Sequence, residues 1–329
     1  MNQPINKESR KERNLLPWVV AVSVVLPVAA LVGPFLIPVR PLENTYPPQA
    51  LADPDSHFVE LNGLKVHLKK MGHGEPVFVL MHGFMSSLYS WHSVMEPFSR
   101  IGTVIAYDRP AFGLTERPLK WQGQNPYGPE AQLVMLDELL NYYEIQRAVL
   151  VGSSAGGGIA MQYTINHPGR ISALILVDAA IYNSGGAPAW LRPLLASPQM
   201  RRVGPLIIRR IPRGGTRLLE LAWHRLSNLD PKILDLYRKP LIVDNWDKAL
   251  WEFTIAHKAQ DLGTQLDHCT RPVLVITGEN DRIVPASYSI RLSKELPDAR
   301  LEIISKAGHL PHEEQPEVFM EAVQKFIGS

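Results

Sequence analysis

The chain has 329 residues, of which 45% are hydrophobic and 20% charged, and a formal net charge of +2. That composition excludes a disordered chain, and so small a charge gives no footing for nucleic-acid binding. Cys269 is the only cysteine, which excludes an intramolecular disulfide. No zinc-ligand spacing, P-loop or strand-borne G-x-G-x-x-G occurs, so neither metal nor cofactor is expected.

The length suits one large α/β domain with an insertion. Residues 15–39 carry no charge and follow a tail, 1–14, that holds Lys7, Arg10, Lys11 and Arg13. A run of that length matches the roughly 30 Å core of a bilayer. It predicts a transmembrane anchor with the tail in the cytoplasm and the remainder outside the cell membrane. A cleaved signal sequence, with secretion, is the rival. Residues 40–56 are Pro-rich and polar and read as a linker.

Residues 57–70 then alternate apolar and polar about Asn62-Gly63, a hairpin signal. Short apolar runs follow at 77–80, 103–107, 148–151, 173–177, 273–277 and 301–304. Helical patterns lie at 88–98, 128–143, 155–166, 286–295 and 316–326. This alternation predicts a mostly parallel sheet covered on both faces. The rhythm breaks at 181–268, where amphipathic helical pieces form an insertion between two core segments, 57–180 and 269–329.

Ligands of such sheets bind beyond the carboxyl ends of the strands. Chemistry-bearing residues stand at those ends: His82, Asp108, Ser154, Asp178, Asp281 and His309. Ser154 is the centre of Gly152-Ser153-Ser154-Ala155-Gly156, a G-x-S-x-G between a strand and a helix. A serine hydroxyl is a poor nucleophile until a base, an acid that orients the base, and oxyanion donors surround it.

The order Ser154…Asp281…His309, with His82-Gly83-Phe84, Asp108 to Gly113 and Gly308-His309, resembles the α/β-hydrolase fold family over about residues 58–327. The resemblance implies an eight-stranded, mostly parallel sheet with a helical cap at 181–268. It implies Ser154 as nucleophile, His309 as base, Asp281 as acid, and the backbone N–H groups of Phe84 and Ala155 as oxyanion hole. Asp178 is the rival acid and His312 the rival base, each placed second by the family order. His82 reads as structural, and Asp108 and Arg109 as bracing a turn. Ala111 stands where the family usually has glycine.

A serine nucleophile argues against haloalkane dehalogenases and soluble epoxide hydrolases, which use aspartate. It fits a carboxylic-ester hydrolase acting on a small apolar ester. The alternatives are a C–C bond hydrolase of vinylogous diketones, or a cofactor-free haloperoxidase, on the same triad. A membrane-tethered binding protein without catalysis is the alternative of another class. The arginines between Arg192 and Arg225, with Glu220 the one acid among them, read first as a solvated basic face. The second reading is a lid surface touching anionic lipid. Oligomeric state stays open.

Overall fold

The computed structural model describes residues 16–182, 185–211, 215–258 and 261–328. The expected basic tail, 1–14, lies outside the described residues.

In chain order, helix α1 (Leu16–Leu36) is followed by the hairpin strands β1 (His57–Leu61) and β2 (Leu64–Met71). Asn62 and Gly63 turn it with φ of 49° and 71°, which asparagine and glycine tolerate best. Then come β3 (Val77–Met81), a 3-10 turn (Leu88–Trp91), α2 (Met95–Ser99), β4 (Thr103–Tyr107), α3 (Pro129–Tyr142), β5 (Ala148–Ser153), α4 (Ala155–Asn166) and β6 (Ile171–Val177). The insertion holds α5 (Arg192–Leu195), α6 (Pro198–Ile208), α7 (Gly215–Ala222), α8 (Pro231–Arg238) and α9 (Trp246–Ala256). The chain then resumes with β7 (Val273–Gly278), α10 (Ala286–Glu295), β8 (Ala299–Ile304), α11 (Pro311–Glu314) and α12 (Pro316–Ile327).

The eight strands form one sheet in the order β1-β2-β4-β3-β5-β6-β7-β8. The pairs β1–β2 and β2–β4 are antiparallel, and the rest are parallel. Every residue of β3, β4 and β5 is buried, which is why these strands read as unbroken apolar runs. Alternate residues feed two cores. Val79 and Met81 join Leu136, Leu139 and Ile159 under α3 and α4. Phe78 and Leu80 join Phe98 and Phe319 under α2 and α12.

Residues 40–56 strap the insertion to the sheet. Tyr46 N donates to Ile242 O at 2.9 Å, and Asp244 N to Tyr46 O at 2.9 Å. Asp53 binds Lys69 of β2 at 2.8 Å and Lys239 at the insertion's edge at 2.7 Å. Burial opposes the Asp53 charge, but the hydrogen bonds from both lysines win and hold its carboxyl far below the usual range. Ser56 ends the strap. Its Oγ lies 2.8 Å from His67 Nε2, and His67 Nδ1 lies 2.7 Å from Asp108 Oδ2. The connectivity is that of a catalytic triad, but Ser56 is folded into a turn. Its Oγ accepts from Asp53 N, and its own N–H donates to Asp53 O. It reads as a pin.

The structure corrects the membrane expectation. Among the described residues no helix is long and apolar enough to cross a membrane. Pro27 and Pro34 lie inside α1, where each removes a backbone donor and leaves carbonyls in need of a partner. At its C-terminal end, carbonyls of α1 and of the residues after it accept from α6 and from the residue after that helix. Gln199 donates to Leu31 O, Arg202 to Pro34 O and Ile37 O, and Arg209 to Arg40 O. The anchor at 15–39, the membrane as partner and the single-pass placement that rested on them are therefore not retained. The basic face is likewise engaged: Arg201 pairs with Glu252 and Arg209 with Asp247, each at 2.8 Å.

Candidate active site

The turn from β5 into α4 is sharp enough to put Ser154 at φ 50° and ψ −119°, a conformation that costs a non-glycine residue free energy. Its neighbours explain how it persists. Ser154 N donates to Val177 O at 2.9 Å, and Ser154 O accepts from Gly157 N at 3.0 Å and Ala180 N at 3.1 Å. A Cβ on Gly152 would stand 2.6 Å from Gly157 Cα, and one on Gly156 would stand 2.4 Å from Met81 O. Both glycines are thus required by close backbone approach.

His309 follows β8 and is 6% exposed. Its Nδ1 lies 2.7 Å from Asp281 Oδ2. The other oxygen of Asp281 accepts from Ile283 N at 2.7 Å and Val284 N at 3.0 Å. Asp281 is thereby fixed by its own loop and in turn fixes the imidazole. The insertion takes part: His309 N donates to Ala222 O at 2.6 Å, and Arg282 donates to Glu220 O and Trp223 O. Glu314 accepts from both Gly308 N, at 2.6 Å, and His224 N, at 2.7 Å.

Ala155 is the first residue of α4, and a helix leaves its first N–H groups without intrahelical acceptors. Phe84 follows β3. The residue is 48% exposed, and its ring meets Phe112 and Phe253, with centroids 5.8 Å away in each case. Met85 turns the chain at φ 58°.

The other sequence candidates fall elsewhere. His82 is fully buried, shares a hydrogen bond with Gly83 O through Nδ1, and accepts from Arg109 N through Nε2. Burial first, then the charge of Arg109, hold it neutral with a pKa down to about 3. His312 stacks on Trp91 at 4.3 Å, and burial pushes it to about 3 as well. Asp108 binds Leu88 N, Leu114 N and His67, so it organises the turn. Arg109 donates to Gln132 at 2.9 Å and lies over the Phe112 ring at 5.2 Å. Ala111 adopts φ 75°. Asp178 is the exception. One of its oxygens, one of Asp281 and a ring nitrogen of His309 lie within 4.8 Å of one another.

A cavity of about 310 Å³ opens between the sheet's loops and the insertion. Met85, Ala111 and Phe112 line it from below, and Leu218, Leu229 and Leu234 from above. Its polar edge holds Ser86, Tyr237 and the buried Arg117. Arg117 donates to Gly113 O and Pro240 O, while its Nε is buried without a partner among the described residues. Sequence reasoning missed this residue. The apolar Leu218, Leu219, Leu226, Leu229 and Leu234 of the insertion were the signal for the cavity itself.

Residues 76–316 match the model of the family described as alpha/beta hydrolase fold. The chain is 31% identical over 257 residues to an uncharacterized hydrolase, YugF, of Bacillus subtilis, covering 77% of this chain and 90% of that protein. It is 28% identical to a 2-hydroxy-6-oxo-2,4-heptadienoate hydrolase of Pseudomonas putida, covering 81% and 94%. A solved hydrolase from Pseudomonas aeruginosa superposes with a TM-score of 0.69 at 23% identity, over 84% of this chain and all of that one. Other solved matches are an enol-lactonase, esterases and a bromoperoxidase, at 19–22% identity, and these share the fold alone. The elbow, the strand order and the matched span agree: this chain belongs to the α/β-hydrolase fold family.

Proposed function

We propose that the chain is a serine hydrolase that cleaves an apolar carboxylic ester through an acyl-enzyme. In this reading 57–180 and 269–329 form the catalytic core and 181–268 its cap. The observation that carries it is the 2.7 Å hydrogen bond between His309 and Asp281, at the sheet rim that also bears the Ser154 turn. His309 Nε2 takes the hydroxyl proton as Ser154 Oγ attacks the ester carbonyl carbon. The oxyanion is held by the N–H groups of Phe84 and Ala155, each such donor being worth about 100- to 1000-fold in rate. The imidazolium, steadied by Asp281, gives its proton to the departing alkoxide. Water then attacks the acyl carbonyl with His309 again as base, the carboxylic acid leaves, and Ser154 is restored. Acyl transfer of this kind needs no metal or cofactor.

The cavity's apolar walls favour an acyl chain or alcohol of modest size. One observation favours the C–C bond hydrolase as the second reading. The unpartnered Nε of buried Arg117 suits a substrate with an anionic end, and a heptadienoate, the substrate class named for the Pseudomonas putida relative, has one. The test is a series of p-nitrophenyl esters of rising chain length, run beside a 2-hydroxy-6-oxo-dienoate. Ser154→Ala is expected to lose about 10⁴- to 10⁶-fold in kcat on the preferred substrate and to lose fluorophosphonate labelling. Near-wild-type turnover by Ser154→Ala would end both readings.

A further inference from the structure

The rival acid, Asp178, has no place in the mechanism above, yet it is packed against it. Its side chain is fully buried, and its backbone is held at φ 45° at the end of β6. Asp178 Oδ1 accepts from Thr277 Oγ1 at 2.6 Å and from Gly278 N at 3.2 Å. Its Oδ2 is buried and meets no donor among the described residues. Asp281 is the opposite: both oxygens are taken up by N–H groups, from Ile283, Val284 and His309.

Two carboxylates this close do not both ionise readily in a buried site, because the second negative charge is opposed by the first. The proton settles where donors are fewest. Oδ2 of Asp178 is that place. The titratable groups facing Asp178 are Asp281, from the loop after β7, and His309, from the loop after β8. Arg282, beside Asp281, is turned to the carbonyls of Glu220 and Trp223. Thr277, Gly278 and, from the elbow, Ser154 are neutral. Burial first, then the charge of Asp281, hold the Asp178 carboxyl well above the usual range.

We propose that Asp178 carries the one proton of a two-carboxylate pair and donates it, as a hydrogen bond from Oδ2, to Asp281, so that it positions the acid of the triad from the neighbouring strand. This rests on the triad reading given above. Asp178 is a positioning residue and touches no reacting atom. While it is neutral, His309 faces a single negative charge. If it ionises, a second charge binds the imidazolium more firmly and slows return of the proton to the leaving group. That places an alkaline limb on kcat that belongs to Asp178 and not to Ser154 or His309.

The experiment compares the full-length wild type with Asp178→Asn and Asp178→Val on a p-nitrophenyl ester, together with infrared difference spectra at neutral pH. Wild type minus Asp178→Asn is expected to show the C=O stretch of a protonated carboxylic acid. Other buried acids such as Glu313 cancel in that difference. Asparagine keeps a donor at this position, so kcat is expected to stay within about 5-fold, with the alkaline limb lost. Valine keeps the volume without the donor, so kcat is expected to fall about 10- to 100-fold with KM little changed, the worth of a hydrogen bond to a charged group. Absence of the carboxylic-acid band would overturn the proposal, as would an alkaline limb unchanged in Asp178→Asn or a Val variant as active as the Asn one. If the Val variant does not fold, the band and the pH profile of the Asn variant decide. The infrared readout is independent of turnover, whereas failure of the triad reading shows as retained activity in Ser154→Ala.

Discussion

Ala111 holds a φ of 75° in the loop below the cavity, where its methyl group crowds its own backbone. A left-handed conformation costs an L-residue about 1–2 kcal/mol, part of which glycine gives back through its freer unfolded chain. Ala111→Gly is therefore expected to raise stability by about 0.5–1 kcal/mol, read as a higher midpoint in urea with an unchanged slope. A lower midpoint would show that the methyl's packing against Phe112 and Trp246 outweighs the strain. Ser154 and Asp178 are also at positive φ. Here the strain has a use, since each residue ends a strand and turns its side chain into the site. The Ser154 turn was legible because its glycines leave a printed pattern. Asp178 was visible as a residue, but its contact with Asp281 was not. That contact depends on how two neighbouring strands end, which no local pattern records.

Between elements, the joint of α8 with α11 is sensitive to pH. Tyr237 donates to both oxygens of Glu313, at 2.6 and 2.7 Å. Burial, and then the charge of Glu314, raise Glu313 from the ordinary 4.5 to about 8 against the pull of Tyr237. Its folded-state pKa is thus above its unfolded one. The native state binds the extra proton, and the stability this supplies is complete below about 4.5 and lost as the pH rises through about 8. Wild-type Tm should fall across that window relative to Glu313→Gln, which keeps an acceptor for Tyr237 and cannot ionise. Parallel Tm curves for the two proteins would show that Glu313 is ionised throughout. The strands were legible from their apolar runs, with ends shifted by a residue or two, because β3 to β7 are buried on both faces almost throughout, whereas β8 at the sheet's edge is not. The insertion gave only amphipathic fragments. Its helices are short, and they are placed by contacts with α1, the strap and the loops of the sheet that no periodicity encodes.

For the molecule as a whole, the strap makes the segment before the sheet part of the folded unit. Tyr46, Thr45 and Asp53 bind the edge of the insertion at Ile242, Asp244 and Lys239. A chain starting at Leu51 loses the first two contacts, whereas one starting at Arg40 keeps all three. The shorter form is expected to melt several degrees lower and to show a raised KM with little change in kcat, because the edge of the cavity beyond α8 is loosened while the bonds from the α7 side to the loops of His309 and Asp281 stay whole. Equal Tm values for the two truncations would show that the strap contributes nothing to the fold. The Pro-rich, polar composition of 40–56 read as a linker. Its partners, nearly 200 positions further along the chain at the Thr45–Asp244 bond, were beyond reach of sequence patterns.

The bonds from His309 N to Ala222 O, from Arg282 to Glu220 and Trp223, and from His224 N to Glu314 have a kinetic consequence. They run between the roof of the cavity and the loops that hold His309 and Asp281. Lifting the roof at α7 breaks the tether of His309 in the same motion, so under the proposed mechanism an open enzyme is also a disarmed one. A wide gate there would have to re-form the triad on every turnover, and that step would appear in kcat. Traffic that passes the α8 side instead, past Leu234 and Tyr237, leaves the tether whole. Viscosity dependence of kcat then becomes a clock for which door is used: substitutions along α7 alter it if the roof lifts, and substitutions along α8 alter it if the side door serves.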